Sequence, residues 1–195
     1  MGGSAPWIHP SSIIDEGATI GNDTKIWHFS HIMENVSIGS KCILGQNIMI
    51  GRDVKIGSGC KIQNNVSIYS GVILEDNVFC GPSCVFTNVL NPRAHLDRKN
   101  EFQKTYVRHG ATIGANATIL CGIEIGRFSF IGAGSVVISS VESHALMVGN
   151  PARRVGWVSE SGDTLNEELV CPRTGQQYTL DLENGLTRNY EIDGV

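Results

Sequence analysis

The sequence contains no run of 18 or more apolar residues, so no membrane-spanning helix is expected. Charge of one sign is not in excess. Fifteen Lys and Arg stand against 19 Asp and Glu, a net charge of -4, which argues against nucleic acid or an anionic membrane surface as a partner. The opening Met1-Gly2-Gly3-Ser4 is polar and has no apolar stretch of the kind a secretory signal needs. It is set aside from fold reasoning, and a cytoplasmic location is expected. Paired cysteines at metal-ligand spacing are missing. Cys80 and Cys84 are three residues apart, and Cys171-Pro172 followed by Gly175 looks like half of a zinc knuckle without its second half. No metal is expected. Helical spacing of three and four and strand alternation of two are both absent from most of the chain.

What is present is a period of six. Ile8, Ile14, Ile20, Ile26, Ile32, Ile38, Leu44, Ile50, Ile56, Ile62, Ile68, Leu74, Cys80 and Phe86 share one phase. Four places after each comes a small or β-branched residue, such as Ala18, Thr24, Val36, Cys42, Val54 and Cys60. The beat resumes, shifted, at Val107, Ile113, Ile119, Ile125, Ile131 and Val137, with Ala111, Ala117 and Ser129 among the small partners. A fixed six-residue period predicts a parallel β-helix. Each hexad supplies one flat side and one corner of a triangular coil. The large aliphatic points inward from the side and the small residue fills the tight corner. Three hexads close a turn, turns stack at the ~4.8 Å of a β ladder, and the twenty hexads give between six and seven turns. The Gly, Asn and Asp residues between the beats suit corner turns. Four of the six cysteines fall on inward positions, so they are expected to be reduced packing residues rather than disulfides.

The expected fold is therefore all-β. A β-helix would span residues 6–157, interrupted by a projecting loop at 87–106, and a small extension at 158–195 would hold a β-hairpin. Tyr178, Leu180 and Leu182 alternate, Asn184-Gly185 marks a tight turn, and Arg188, Tyr190 and Ile192 alternate again. Trp7 is expected to cover the open top of the first turn. Two departures from the beat stand out. The hexad Ile26-Trp27-His28-Phe29-Ser30-His31 crowds aromatics and histidines onto outer positions, as an intersubunit surface or pocket would. Residues 87–106 break the period with a net basic segment carrying Arg93, Arg98, Lys99 and Lys104 against Asp97 and Glu101. Loops of this length in compact domains are commonly functional, and its cations could meet an anionic substrate.

Three stretches carry a family resemblance: Asn77–Asn88 with Asn91-Pro92-Arg93, then Gly110–Ile119, then the ending Val148-Gly149-Asn150-Pro151-Ala152-Arg153. Together with the hexads they resemble the left-handed β-helix acyltransferases that use acetyl-CoA. Among these the chain is most similar to bacterial nucleotide-sugar N-acetyltransferases, in particular the UDP-2-acetamido-3-amino-2,3-dideoxy-glucuronate N-acetyltransferases of O-antigen (lipopolysaccharide) biosynthesis. The resemblance implies a left-handed coil and a homotrimer with active sites between adjacent coils. It also implies CoA lying in the groove near Ala111 and Ser129, with its phosphates near Arg153 and Arg154. Asn88 matches an asparagine of the motif and would orient the sugar amine. An amide is no base, but its oxygen can accept an N–H.

A histidine base is sought among His28, His31, His95, His109 and His144. His31 and His28 lead because of their unusual hexad, and no spacing singles out one of them. Trp27 and His28 are candidates for the substrate pocket. Arg93, Arg98 and Lys99 are candidates for the sugar carboxylate or the diphosphate, with Arg98 placed on the acidic group. Three other functions compete: a dTDP-3-amino-hexose N-acetyltransferase, which has no carboxylate to bind; a γ-carbonic-anhydrase-like zinc enzyme, which needs three converging histidines; and a non-catalytic scaffold solenoid.

Overall fold

A computed structural model describes residues 3–181 and 185–189. Short parallel strands recur every six residues and stack into three sheets. The first carries eight parallel strands, the second seven and the third six. The coil thus makes seven full turns and begins an eighth, slightly more than the hexad count suggested. Each turn is called a rung below, numbered from the N-terminus, and each sheet is a face of the prism. The register is the sequence period itself. Leu44, Ile62 and Cys80 lie one above another, as do Ile32, Ile50 and Ile68. All are fully buried.

The small residue of each hexad does more than fill space. Thr24 Oγ1 donates to Gly39 O at 2.8 Å and accepts from Cys42 N at 3.0 Å. Cys42 and Cys60 repeat the first contact with their thiols, at 3.1 Å to Gly57 O and to Glu75 O. Corner carbonyls inside the prism would otherwise be buried without a partner, which is costly. All six cysteines are free and buried.

Glycine and asparagine divide the corner work differently from the sequence expectation. The left-handed turn residue is an Asn or Asp at Asp23, Asn35, Asn47, Asn65 and Asn77, all with φ near +60°, and a glycine at others such as Gly17, Gly59 and Gly110. The glycine after the inward aliphatic serves another purpose. A Cβ on Gly21 would stand 2.5 Å from the Gly39 carbonyl carbon, and one on Gly114 would stand 2.5 Å from Ala133 N. These glycines are there because the next rung leaves no room for a side chain.

Three further expectations change. Trp7 does not cap the coil. It points outward from the first strand, 45% exposed, and Ile8, Ile14 and Ile20 are left half-buried at the open end. The loop ends at 104 rather than 106, because Thr105 and Tyr106 pair with Val72 and Ile73. The Gly-Asn-Pro-Ala-Arg motif is a turn, with a cis peptide at Asn150-Pro151. It reverses the strand Ala145–Gly149 into the antiparallel strand Ala152–Trp157, which ends the first sheet. Beyond it, Leu165, Cys171, Tyr178 and Leu186 form a second small core against Trp157. The expected hairpin is present as Tyr178–Asp181 paired with Gly185–Arg188. Leu182, Asn184, Tyr190 and Ile192 lie outside the described residues.

Candidate active site

The loop leaves the second face after the strand Val85–Phe86 on the fifth rung and rejoins the third face at Thr105–Val107. Its root is tightly held. Thr87 N donates to Ile119 O at 3.1 Å, Thr87 Oγ1 accepts from Cys121 N at 2.9 Å, and Gln103 N donates to Asn88 O at 2.9 Å. Asn88 is half-buried at that root. Its backbone carbonyl is committed, while its side-chain amide makes no hydrogen bond to the described residues. The oxygen of such an amide is free to accept an N–H.

The loop's cations are less available than its composition suggested. Arg98 Nη1 donates to Glu101 at 2.7 Å across a 3₁₀ turn, Lys99–Glu101, and its Nε is buried without a partner. Lys99 lies 3.7 Å from Asp97, and Arg93 Nη1 donates to Pro92 O at 3.2 Å. These side chains and Val89, Leu96 and Phe102 surround a cavity of about 430 Å³ inside the loop.

The histidine-rich hexad sits elsewhere. Trp7, His9, Trp27, His28 and Phe29 form a continuous ring cluster around the edge between the first and second faces. His9 stacks on His28 at 3.4 Å and Trp7 meets Trp27 edge-on at 5.2 Å. Burial and then the neighbouring His28 lower the pKa of His9, a residue the sequence reading did not single out. His31 projects from the second face, and its Nε2 lies 3.1 Å from both carboxylate oxygens of Asp15. It occupies the second rung and Asn88 the fifth, a climb of three rungs or about 14 Å. His31 and Asn88 are therefore not brought together, and Trp27 and His28 lie on a different edge from the loop.

Two of the remaining histidines are no better placed as bases, and His95 lines the loop cavity. His144 is buried, stacked on Phe128 and edge-on to Tyr178, and its Nδ1–H donates to Val158 O at 2.9 Å. His109 lies edge-on to Phe128. Among the described residues no three His, Cys, Asp or Glu side chains converge on a point where a metal could sit. The half-knuckle cysteine is satisfied by hydroxyls. Burial would raise the Cys171 pKa, but hydrogen bonds from Ser159, Ser161 and Thr174 outweigh this and hold it at about 6.

Two of the residues expected near CoA lie inside the coil. Ala111 and Ser129 are corner residues with fully buried side chains. Their backbone N–H and C=O groups are already bonded within and between rungs. Arg154 is occupied as well, 3.1 Å from Glu142 and stacked 4.1 Å over Trp157. Arg153 is exposed beside it.

A cavity of about 690 Å³ lies on yet another edge, between the third and first faces. Arg108 crosses it, donating Nη1 to Glu75 at 2.8 Å and Nη2 to Glu124 at 2.5 Å. Burial would push the Glu75 carboxyl up, yet the bonds from Arg108 and the His109 N–H hold it below the usual carboxylate range. This clamp joins three rungs. No sequence signal marked it, since its members are 16 and 33 residues apart.

Comparison with known proteins fits this geometry. Models of the bacterial transferase hexapeptide family match residues 17–52 and 29–62, and the hexapeptide repeat of succinyl-transferase matches 109–139. The chain is 45% identical over 175 residues to a dTDP-3-amino-3,6-dideoxy-alpha-D-galactopyranose 3-N-acetyltransferase of Aneurinibacillus thermoaerophilus, covering 88% of this chain and 90% of that one. It is 39% identical over 80 residues to the serine acetyltransferase of Escherichia coli K12, covering 41% of this chain and 29% of that one. Among solved structures it shares a fold with a hexapeptide transferase family protein from Anaplasma phagocytophilum, at TM-score 0.55 and 18% identity, covering 80% of this chain and 81% of that one. The acetyltransferase domain of PglB from Neisseria gonorrhoeae FA1090, solved with acetyl coenzyme A, matches at TM-score 0.53 and 16% identity. That match covers 77% of this chain and spans 58% of the PglB domain. The chain belongs to the hexapeptide-repeat acetyltransferases.

Proposed function

We propose that the protein transfers an acetyl group from acetyl-CoA to the 3-amino group of a nucleotide-linked 3-amino sugar. The observation that carries this reading is Asn88: an unpartnered amide at the tightly held root of the loop, in a chain closely related over nearly its whole length to a 3-N-acetyltransferase. The amine N–H donates to Asn88 Oδ1, which aims the nitrogen lone pair at the thioester carbonyl. The C–N bond forms, the carbonyl becomes an oxyanion held by N–H donors, and the C–S bond then breaks. The proton lost from nitrogen ends on the sulfur of the departing CoA. Holding the two substrates together supplies much of the rate. His28, His31, His109 and His144 lie on other edges or rungs than Asn88, His95 lies within the loop itself, and a sugar amine less basic than lysine does not require a protein base.

The acceptor we favour is a dTDP-linked 3-amino-deoxyhexose. The relative with this specificity supports it, as does Arg98, whose Nη1 and charge are already engaged by Glu101. The UDP-linked 2-acetamido-3-amino uronic acid is the second reading, supported by the buried, unpaired Nε of the same arginine. Either acceptor suits a cytoplasmic enzyme making precursors of surface polysaccharide, and the six free thiols are compatible with a reducing compartment.

The homotrimer is part of this proposal. The outward positions of the second face are Ile13, His31, Met49, Ser67, Val85, Thr118 and Val136, none of them Lys, Arg, Asp or Glu. The first face carries Lys25 and Lys61, and the third Lys55 and Glu124. An uncharged face with Ile13 and Val85 about half exposed is the one that association would bury. Turned toward a three-fold axis, it brings the edge bearing Trp27 and His28 of one copy beside the Asn88 edge of the next. Arg153, exposed where the coil ends, is available to the CoA phosphates, and CoA lies toward that end.

A thiol-release assay over dTDP- and UDP-linked 3-amino sugars tests the reading. The expected result is turnover with the dTDP sugar and a fall in kcat of about a hundredfold for Asn88→Ala. Absence of thiol release with every acceptor, or an Asn88→Ala variant turning over at the normal rate, would overturn it.

A further inference from the structure

From the first rung down, the edge between the second and third faces, with His31 on the adjoining second face, carries a line of polar side chains above Asn88. Asp15 and His31 form a dyad at the top. Arg52 stands on the third rung, its side chain 59% exposed, with Glu34 2.9 Å from its Nε. Tyr69 stands on the fourth, 39% exposed. Asn88 follows on the fifth. The rungs act as a ruler. Arg52 lies two rungs above Asn88, about 10 Å, and His31 three rungs above it, about 14 Å. Rotation about an axis parallel to the coil changes no heights. Copies of Asn88 in a trimer about such an axis therefore stay at the fifth rung, and that assembly does not lower a His31 onto the reacting amine.

We infer that this edge holds the nucleoside diphosphate portion of the acceptor, with Arg52 on the diphosphate and His31, fixed by Asp15, at the level of the nucleobase. The inference rests on the acetyltransfer reading and extends it. An acceptor with its amine at Asn88 must run from that point toward one end of the coil, and acetyl-CoA takes the C-terminal end. The N-terminal direction meets a tyrosine at the height of the hexose. It then meets an exposed guanidinium, the group suited to bidentate phosphate contact. Above that it meets an imidazole anchored by a carboxylate, beside Trp27 and His28 of the neighbouring copy at the same height. Glu34 holds Arg52 in place when the site is empty; exposed on both sides, that pair is weak enough to exchange for phosphate. His31 is thereby a substrate-binding group and not the general base.

Two measurements on the full-length enzyme test this. Calorimetric titration with free dTDP and UDP reads the subsite without turnover. Arg52→Met is expected to weaken nucleoside diphosphate binding ten- to hundredfold and nucleoside monophosphate binding less, with Arg52→Lys in between. Steady-state kinetics then separate the roles. Arg52→Met and His31→Asn should raise KM for the nucleotide sugar without moving KM for acetyl-CoA, and His31→Asn should keep the wild-type pH profile of kcat. Unchanged nucleotide binding in Arg52→Met overturns the inference, provided thermal melting shows the variant folded like wild type, as an exposed side chain should allow. Loss of kcat in His31→Asn with nucleotide affinity intact overturns it too, by making His31 the base. A wild type that binds nucleotide through Arg52 but releases no thiol with any amino sugar would sink the acetyltransfer reading while sustaining the subsite.

Discussion

Gly114→Ala is the sharpest test of how the coil is built. Gly114 has no left-handed φ, so alanine faces no backbone penalty there. The cost is spatial. The added Cβ would lie 2.5 Å from Ala133 N and 2.7 Å from both the Gly132 carbonyl carbon and Ile131 O, all backbone atoms of the next rung. Ordinary contact begins near 3.4 Å, so the rungs must part locally by close to 1 Å. The bond from Gly114 N to Ile131 O, now 2.8 Å, would then exceed hydrogen-bonding distance. One buried hydrogen bond lost is worth about 1 kcal/mol, and overpacking of a rigid interior adds about 1–3 kcal/mol. A destabilisation of about 2–4 kcal/mol is expected. The assay is urea unfolding at fixed protein concentration, because association would otherwise shift the midpoint. Gly134→Ala is the matched control. Its Cβ would meet nothing within 4 Å, and its φ of +68° carries only the left-handed penalty, about 1–2 kcal/mol. A Gly114→Ala protein within about 0.5 kcal/mol of wild type, or one no worse than Gly134→Ala, would refute the close-stacking argument.

Two further outcomes follow from the clamp and the buried imidazole. Arg108→Met removes the bridge between Glu75 and Glu124. Both pairs are about one-third exposed and are discounted for solvent, so about 1–2 kcal/mol is expected, or a Tm lower by about 2–6 °C in a thermal scan. A shift below about 1 °C would mean that the rungs do not need the clamp. Burial lowers the His144 pKa below its ordinary 6.5, so the unfolded chain takes up the proton first. Its stabilising contribution is fully present above that value and is lost as pH falls below it. Unfolding free energy should decline from pH 7 to pH 5 in the wild type and decline less in His144→Gln. Parallel pH curves for the two proteins would remove His144 from the account.

The sequence by itself determined the coil. A large inward residue at every sixth position and a small one four places on leave a single periodic arrangement that buries both, and stacking repeats that arrangement with little reference to distant parts of the chain. The loop was legible for the same reason, as the place where the beat fails, and Asn88 was legible because it stands where the failure begins. Only the tertiary structure decided what shares an edge. Hexads 18 residues apart become neighbours, so Arg52 and Tyr69, ordinary in sequence, fall into line above Asn88, and Arg108 reaches Glu75 and Glu124. The same stacking separates what sequence placed together. His31 and Asn88 each marked a departure from the repeat, yet three rungs of fixed height lie between them. Ala111 and Ser129 occupy the small corner positions that the repeat assigns to the interior. Rung height depends on the number of intervening turns and face on position within the turn, and a ligand site requires both to coincide.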